Sequence, residues 1–391
     1  MSHPLVSHSP DLTQLVEEQY DIEIRDTNLL VHHVPYVTSD GTVAYGILVS
    51  ELTTSGDRTD RPGRHEIWLV GGIPYDHQGN RISIINDLNS HDFGEGLVAA
   101  CSMSGKPNGE HPADYHIKIS NYVRILGDYA RAIDPEATHT NFPVRESTAD
   151  ESVFRYHDAA TSRSGISAIT SKLKISKLAI VGLGGTGAYV LDLVAKTPVQ
   201  EIHLYDNDTF LAHNAFRIPG AASFDEVTIK PLKVDYLFGK YDVMRRNIVA
   251  HPHNITKENI EELRDMAFVF IAADGGPDTK TMVETLQSWG IPFVECGMGV
   301  PRQETSLRGT LRVTTGADGH YDHIPSRVPF TDQEEDEYDW NIQTADLNMM
   351  NAAMAVIKWK KLFGYYVDDK HEFNATYTVS RNQMISGDLS S

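Results

Sequence analysis

Cysteine is nearly absent from this chain, with two thiols, Cys101 and Cys296, in 391 residues. That scarcity excludes a disulfide framework and any zinc module built on several cysteines. Basic residues are also few: 34 Lys and Arg stand against 54 Asp and Glu, a formal net charge of −20. A nucleic-acid surface needs clustered cations over its phosphates, so this balance argues against one. The excess acid reads as an aid to solubility, and an acidic substrate would have to be met by a local basic pocket. No apolar run is long enough to span a bilayer, and the opening "MSHPLVSHSPDL" lacks the basic-then-apolar order of a signal peptide. A reducing cytoplasm is the expected compartment.

The length admits two domains with ordinary cores, and no internal repeat is visible. In the first third, "YDIEIRDTNLLVHHVPYVT", "GTVAYGILVSEL" and "RHEIWLVGG" read as short strands between polar turns. "ADYHIKISNYVRILGDYARAI" reads as a helix with Ile117, Tyr122, Ile125, Leu126 and Tyr129 at helical spacing. The Pro-, Thr- and Ser-rich stretch "DPEATHTNFPVRESTADES" marks a boundary near residue 145. The expectation is an α+β domain over residues 1–145 and a second domain over 146–391.

Past the boundary the rhythm is strand–helix–strand. "KLAIV" is a buried strand, "EIHLYDND" a second and "MAFVFIAADGG" a third. "KTMVETLQSWG" is a helix stopped by glycine, and "IPFVECGMG" a fourth strand. "SLRGTLRVTT" alternates like an antiparallel or edge strand. "TADLNMMNAAMAVIKWKKLFG" is a strong helix whose stripe of Leu347, Met350, Ala353, Met354 and Ile357 is expected in the core. The acidic run "DQEEDEYDW" reads as a solvated loop.

Between the first strand and the helix after it, Gly182, Gly184 and Gly187 fall in G-x-G-x-x-G spacing, with Gly185 beside them. Such a turn lets backbone N–H groups approach a phosphate at a helix N-terminus. It does not choose between NAD, FAD and ATP. Asp206, at the end of the second strand, suits the ribose of either NAD or ATP. The residues that follow carry more charge than a nicotinamide slot uses: Asp208, Asn214, Arg217, Lys230, Lys233, Asp274 and Lys280. A triphosphate needs cations for its oxygens and a carboxylate for Mg²⁺.

From about Phe154 onward the chain resembles the ThiF/MoeB/ubiquitin-activating superfamily of adenylyltransferases. "AIVGLGGTG" is similar to its glycine loop and "YDNDTFLAHNAFR" to its aspartate-bearing strand end with an Asn–x–x–Arg segment. Lys233 matches the lysine of its next helix, and "FVFIAADGGPDTK" its Asp-bearing third strand. The resemblance implies an α/β fold with a doubly wound Rossmann-like sheet, a homodimer, and attack of a carboxylate on the α-phosphorus of ATP. It implies ribose binding by Asp206, phosphate contacts from Asn214, Arg217 and Lys233, and Mg²⁺ on Asp274. Asp208 and Lys280 join the cofactor-binding set. Arg163 takes the place of an arginine sent into the partner subunit's site, with Arg155 as the weaker substitute.

The N-terminal domain is similar to an uncharacterised domain fused to adenylyltransferases in bacterial gene clusters encoding ubiquitin-like proteins. The implied substrate is therefore the C-terminal tail of a ubiquitin-like protein, in a bacterial conjugation pathway linked to antiviral defence, with a downstream conjugating protein as acceptor. A small-molecule, peptide or tRNA-borne carboxylate is the alternative. An NAD(P)-dependent oxidoreductase and a non-catalytic scaffold rank below both.

Departures from that family pattern matter. The paired Cys-x-x-Cys zinc ligands of many members are missing, so no zinc is expected, and the pairs His111/His116 and His320/His323 lack a third ligand. No inserted cysteine domain is visible. Cys296 reads as a small core residue, and Cys101, near an expected loop, as the more exposed thiol. The polar stretch from Gly316 to Ile342 stands where the family's zinc-bearing segment crosses over the substrate tail.

Overall fold

The computed structural model describes residues 4–94, 96–140, 147, 149, 152–156, 158, 160–161, 164, 166–273, 275–330 and 342–389. The chain divides into two compact units. One is Met1–Glu146 with Tyr156–Ala168; the other is Ser147–Arg155 with Ile169–Ser391.

The first unit is a seven-stranded antiparallel sheet with helices α1 (Pro4–His8), α2 (Pro10–Glu17) and α3 (Tyr115–Arg131). Its strands are β1 (Asp21–Arg25), β2 (Asn28–Val37), β3 (Val43–Glu51), β4 (Ile67–Val70), β5 (Ile85–Asp87), β6 (His91–Asp92) and β7 (Val98–Met103). The order across the sheet is β1-β2-β3-β4-β7-β5, with β6 also pairing to β7. Asp114 starts α3 as an N-cap, accepting the Ile117 N–H at 2.8 Å. The helix buries Tyr115, Ile119, Tyr122, Val123 and Leu126 against Leu29, Val31, Leu48 and Leu69 of the sheet.

Ile117, expected on that buried face, is exposed. Tyr122 and Leu126 of the same spacing are buried, and the hydroxyls of Tyr115 and Tyr122 donate to the Glu51 and His65 carbonyls at 2.9 and 2.8 Å. Cys101, expected near a loop, is fully buried in β7, and burial pushes its thiol up to about 11. It is no candidate for a thiolate nucleophile.

The second unit is an eight-stranded sheet built from β8 (Lys177–Val181), β9 (Glu201–Tyr205), β10 (Ile248–His251), β11 (Phe268–Ile271), β12 (Phe293–Gly299), β13 (Thr310–Gly316), β14 (Glu372–Thr378) and β15 (Gln383–Leu389). The order is β10-β9-β8-β11-β12-β13-β14-β15. The first five are parallel, and β13 to β15 are antiparallel. Alternation along β8 sends Leu178 and Ile180 to one face and Ala179 and Val181 to the other. Helices α4 (Gly185–Ala195), α5 (Lys233–Asp242) and α7 (Ala345–Leu362) supply the first core, and α6 (Pro277–Trp289) the second. This is the doubly wound α/β arrangement expected from the sequence.

On α7 the buried face is Asn348, Asn351, Ala352, Ala355, Val356, Lys358 and Trp359, where the sequence stripe pointed to Leu347, Met350 and Ile357. Ile357 is 46 % exposed. Binary patterning chose the wrong side because this face is lined with polar residues that make specific bonds. The sequence reading also passed over α1, α2, β10, β14 and β15.

Lys118 of α3 is 2 % exposed, and its ammonium donates to Ser50 Oγ at 2.8 Å and to the Arg64 carbonyl at 2.9 Å. Burial lowers its pKa from 10.5 to about 8, with Glu66 and Glu51 opposing. The unfolded chain thus holds the extra proton between those values. The cost of burying the charge, about 3 kcal/mol at full strength, is complete below about pH 8 and gone above about pH 10.5. In thermal melts across that window, wild type is expected to gain stability relative to Lys118→Met as pH rises. A gap that stays constant with pH would show an ordinary lysine.

Candidate active site

Parallel register brings three loops out of the sheet at one level. Val181 of β8 lies opposite Tyr205 of β9 and Ile271 of β11, so Gly182, Asp206 and Ala272 emerge side by side. From β8 the chain moves outward to β9 and β10, then returns to β11 on the other side. The crevice at the carboxyl ends of β8 and β11 is therefore a topological switch point, where open α/β sheets hold ligands.

The glycines there serve different ends. Gly182 has φ +87°, and a Cβ on it would lie 2.7 Å from the Ala272 carbonyl oxygen. A Cβ on Gly187 would meet the Gly182 carbonyl oxygen, and one on Gly185 the Asn348 side chain. These three close the strand–turn–helix unit. Gly184 is different: among the described residues nothing lies within 4 Å of its Cβ position, and it lines the cavity. The N-terminal turn of α4, at Gly185 and Thr186, borders that cavity, and so does that of α6, at Pro277, Asp278 and Thr279. Two helix N-termini converging on one space favour an anion there.

Asp206 is buried and holds the turn together. One carboxylate oxygen accepts the Leu183 N–H at 2.7 Å and the other the Asp208 N–H at 2.8 Å. Lys233, at the first position of α5, is also buried, with Nζ 2.5 Å from Asp208 and 3.6 Å from Asp206. Arg217 lines the same cavity, and its buried Nε has no hydrogen-bond partner among the described residues. Burial, followed by Arg217 and Lys233, holds the neighbouring His213 below its ordinary pKa. The cavity is about 460 Å³, in the range of small-molecule sites. Its described carboxylates are Asp206, Asp208 and Asp278.

The structure thus gathers Gly182, Gly184, Gly185, Asp206, Asp208, Arg217 and Lys233 around one cavity. Asn214 does other work, its amide oxygen accepting the Leu211 N–H at 2.8 Å to cap the one-turn helix Ala212–Ala215. Lys280 projects from α6 toward Glu284 at 3.9 Å, and Lys230 is an exposed helix cap; neither lines the cavity. Arg155 is bound to Asp242 at 2.7 and 2.8 Å. Asp274 and Arg163 lie outside the described residues. So does the acidic run within 331–341.

Cys296 lines the cavity but is buried, and burial, with Glu295 beside it, raises its thiol far above the ordinary value. His116 bonds Glu18 at 2.9 Å, and His320 stacks on Phe373, so neither histidine pair is set up as a ligand pair.

Sequence reasoning missed Gln343 and Asn348. Gln343 borders the cavity with a buried Oε1 that has no partner among the described residues. Asn348 accepts the Thr186 hydroxyl at 3.0 Å and donates to the Arg217 carbonyl at 3.4 Å, tying α4 to the arginine's backbone. Asparagines three apart in "LNMMNAAM" were the available signal.

Residues 159–336 match the model of the ThiF family, and residues 10–159 match a domain of unknown function, DUF6791. No curated protein matches the chain. Among solved structures, Escherichia coli MccB aligns at 16% identity over 60% of this chain and 68% of its own, with TM-score 0.46. E. coli tRNA N6-threonylcarbamoyladenosine dehydratase, TcdA, in complex with AMP aligns at 16% identity, over 52% of this chain and 93% of its own, with TM-score 0.41. PaaA aligns at 16% identity, over 56% and 75%, with TM-score 0.43.

The glycine geometry separates fold from binding. Gly184→Val is expected to melt within a few degrees of wild type while losing at least about tenfold in affinity for a fluorescent ATP analogue, because only the cavity loses space. Gly187→Ala is expected to lower Tm sharply through the clash with the Gly182 carbonyl. Unchanged nucleotide affinity in Gly184→Val would remove the turn from the binding site.

Proposed function

We propose that the chain is an ATP-dependent adenylyltransferase that activates the C-terminal carboxylate of a ubiquitin-like protein. The observation that carries this reading is the pairing of a glycine turn with two cations, one of which, Arg217, has a buried Nε without a partner among the described residues. An unpaired buried donor is costly, and a phosphate oxygen is the acceptor that the surrounding helix N-termini also favour. The ThiF family domain over residues 159–336 supports the same chemistry.

In the proposed reaction a substrate carboxylate oxygen bonds to the α-phosphorus of ATP. The bond from that phosphorus to the bridging oxygen breaks, and pyrophosphate leaves with the charge. A carboxylate is already ionised at neutral pH, so the protein supplies alignment and charge relief and no general base. The free lone pairs of Asp206 face the ribose, the N–H groups of the Gly184–Gly185 turn meet the phosphates, and Arg217 and Lys233 neutralise the departing pyrophosphate. For Lys233 this means exchanging Asp208 for phosphate. Mg²⁺, when bound, supplies further neutralisation at the phosphates, with Asp274 as its proposed carboxylate. Arg163 would complete the site of a second subunit in a homodimer.

The domain division at about residue 145 and a cytoplasmic setting belong to the same reading. Among the described residues no helix is long and apolar enough to cross a membrane. A small-molecule, peptide or tRNA-borne carboxylate is the alternative substrate.

ATP–pyrophosphate exchange tests the proposal with a candidate ubiquitin-like protein encoded beside this chain. Exchange is expected only when its C-terminal carboxylate is free, and Asp274→Ala is expected to abolish it. Exchange supported equally by a C-terminally amidated substrate would overturn the substrate assignment. Full activity of Asp274→Ala would overturn the residue's role.

A further inference from the structure

At the outer edge of the second sheet, β10 ends in His251, opposite Tyr205 of β9. The His251 ring lies flat on the Tyr205 ring, with centroids 4.2 Å apart and 6° between planes. Its Nε2 meets Nδ1 of His203 at 3.0 Å, and Nε2 of His203 meets the Glu201 carboxylate at 3.2 Å. The far end of this relay decides its direction. An ionised carboxylate only accepts, so His203 Nε2 donates to Glu201. Nδ1 of neutral His203 is then an acceptor, and His251 Nε2 is its donor. Neutral His251 is left with a bare lone pair on Nδ1.

That lone pair faces Glu262 Oε2 at 3.8 Å. The same oxygen is 3.1 Å from His253 Nε2. One donor atom from each of His251, His253 and Glu262 lies within 4.8 Å of the other two. A nitrogen lone pair aimed at a carboxylate oxygen is repulsive unless a cation stands between them.

We infer that His251 Nδ1, His253 Nε2 and Glu262 Oε2 form a binding site for a divalent first-row transition ion, with zinc as its probe. Two imidazoles and one carboxylate are a donor set that zinc accepts, its fourth position going to water, whereas Mg²⁺ and Ca²⁺ favour oxygen ligands. With bonds of about 2.1 Å, the ligand atoms of a tetrahedral zinc stand about 3.4 Å apart. The 3.1 and 3.8 Å separations bracket that value. Glu201 and His203 then act as the outer shell, orienting His251 and fixing its tautomer.

The scarcity of cysteine excludes thiolate modules and leaves this nitrogen–oxygen set untouched. The ion would also fasten the turn after β10. The His251 carbonyl accepts the Asp206 N–H at 3.3 Å, and Asn254 and Ile255 line the nucleotide cavity. The inference needs no nucleotide, so it stands or falls apart from the adenylation reading.

The full chain, stripped with a chelator and dialysed against buffered zinc, is assayed for bound zinc by atomic emission and for Tm. Wild type is expected to hold one equivalent and to melt higher with zinc than without. His253→Gln and Glu262→Gln are expected to lose both effects. Glu201→Gln keeps all three ligands but lets the relay run in reverse, and is expected to weaken zinc binding about tenfold. Absence of bound zinc in wild type would overturn the inference. So would unchanged zinc affinity in both ligand variants, which would leave the cluster as a proton-bridged ion pair.

Discussion

Asp206 accepts the Leu183 N–H at 2.7 Å with one oxygen and the Asp208 N–H at 2.8 Å with the other, while Lys233 Nζ stands 3.6 Å away. Three pieces of chain meet at this buried carboxylate: the glycine turn after β8, the end of β9 and the first residue of α5. Hydrogen bonds to a charged group contribute about 1.5–3 kcal/mol each, and losing the acceptor would leave a buried N–H unpaired. Residues distant in sequence thereby hold a fixed geometry before any ligand arrives, which is the condition for electrostatic preorganisation.

The site itself carries both signs: Asp206, Asp208 and Asp278 line the same cavity as Arg217 and Lys233. The chain is strongly acidic, yet its switch-point crevice presents Arg217, Lys233 and two helix N-termini. The acidic surroundings do not cancel them, since exposed charges beyond a Debye length of about 8–10 Å are screened. Asp208 occupies Lys233 directly, which keeps a buried cation paired while no phosphate is present. Asn348 couples this region to α7, so the last long helix contributes to the site as well as to the core.

Much of the site was legible because its signals are local. The glycine spacing, the strand ending at Asp206 and the lysine opening a later helix can each be read from a short stretch of its own. What stayed hidden depends on tertiary context. β10 is four residues long at a sheet edge, too short to show alternation, and the histidines at its end acquire a common purpose only through register with β9. The face of α7 was misjudged because its buried asparagines look polar in a pattern, while in three dimensions Asn348 bonds Thr186 and the Arg217 carbonyl and the Asn351 amide donates to the Gly297 carbonyl. Cys101 looked exposed from its Gly- and Ser-containing neighbourhood, but β7 runs between two strands and is buried.

Calorimetric titration of the full chain with Mg·ATP and with NAD⁺ tests whether the glycine turn and its two cations hold a nucleoside triphosphate or a nicotinamide dinucleotide. Saturable ATP binding is expected, at least about tenfold tighter than any binding of NAD⁺ and weakened by about tenfold or more in Lys233→Met. Tighter binding of NAD⁺ than of ATP, or ATP binding indifferent to Lys233→Met, would contradict the triphosphate assignment.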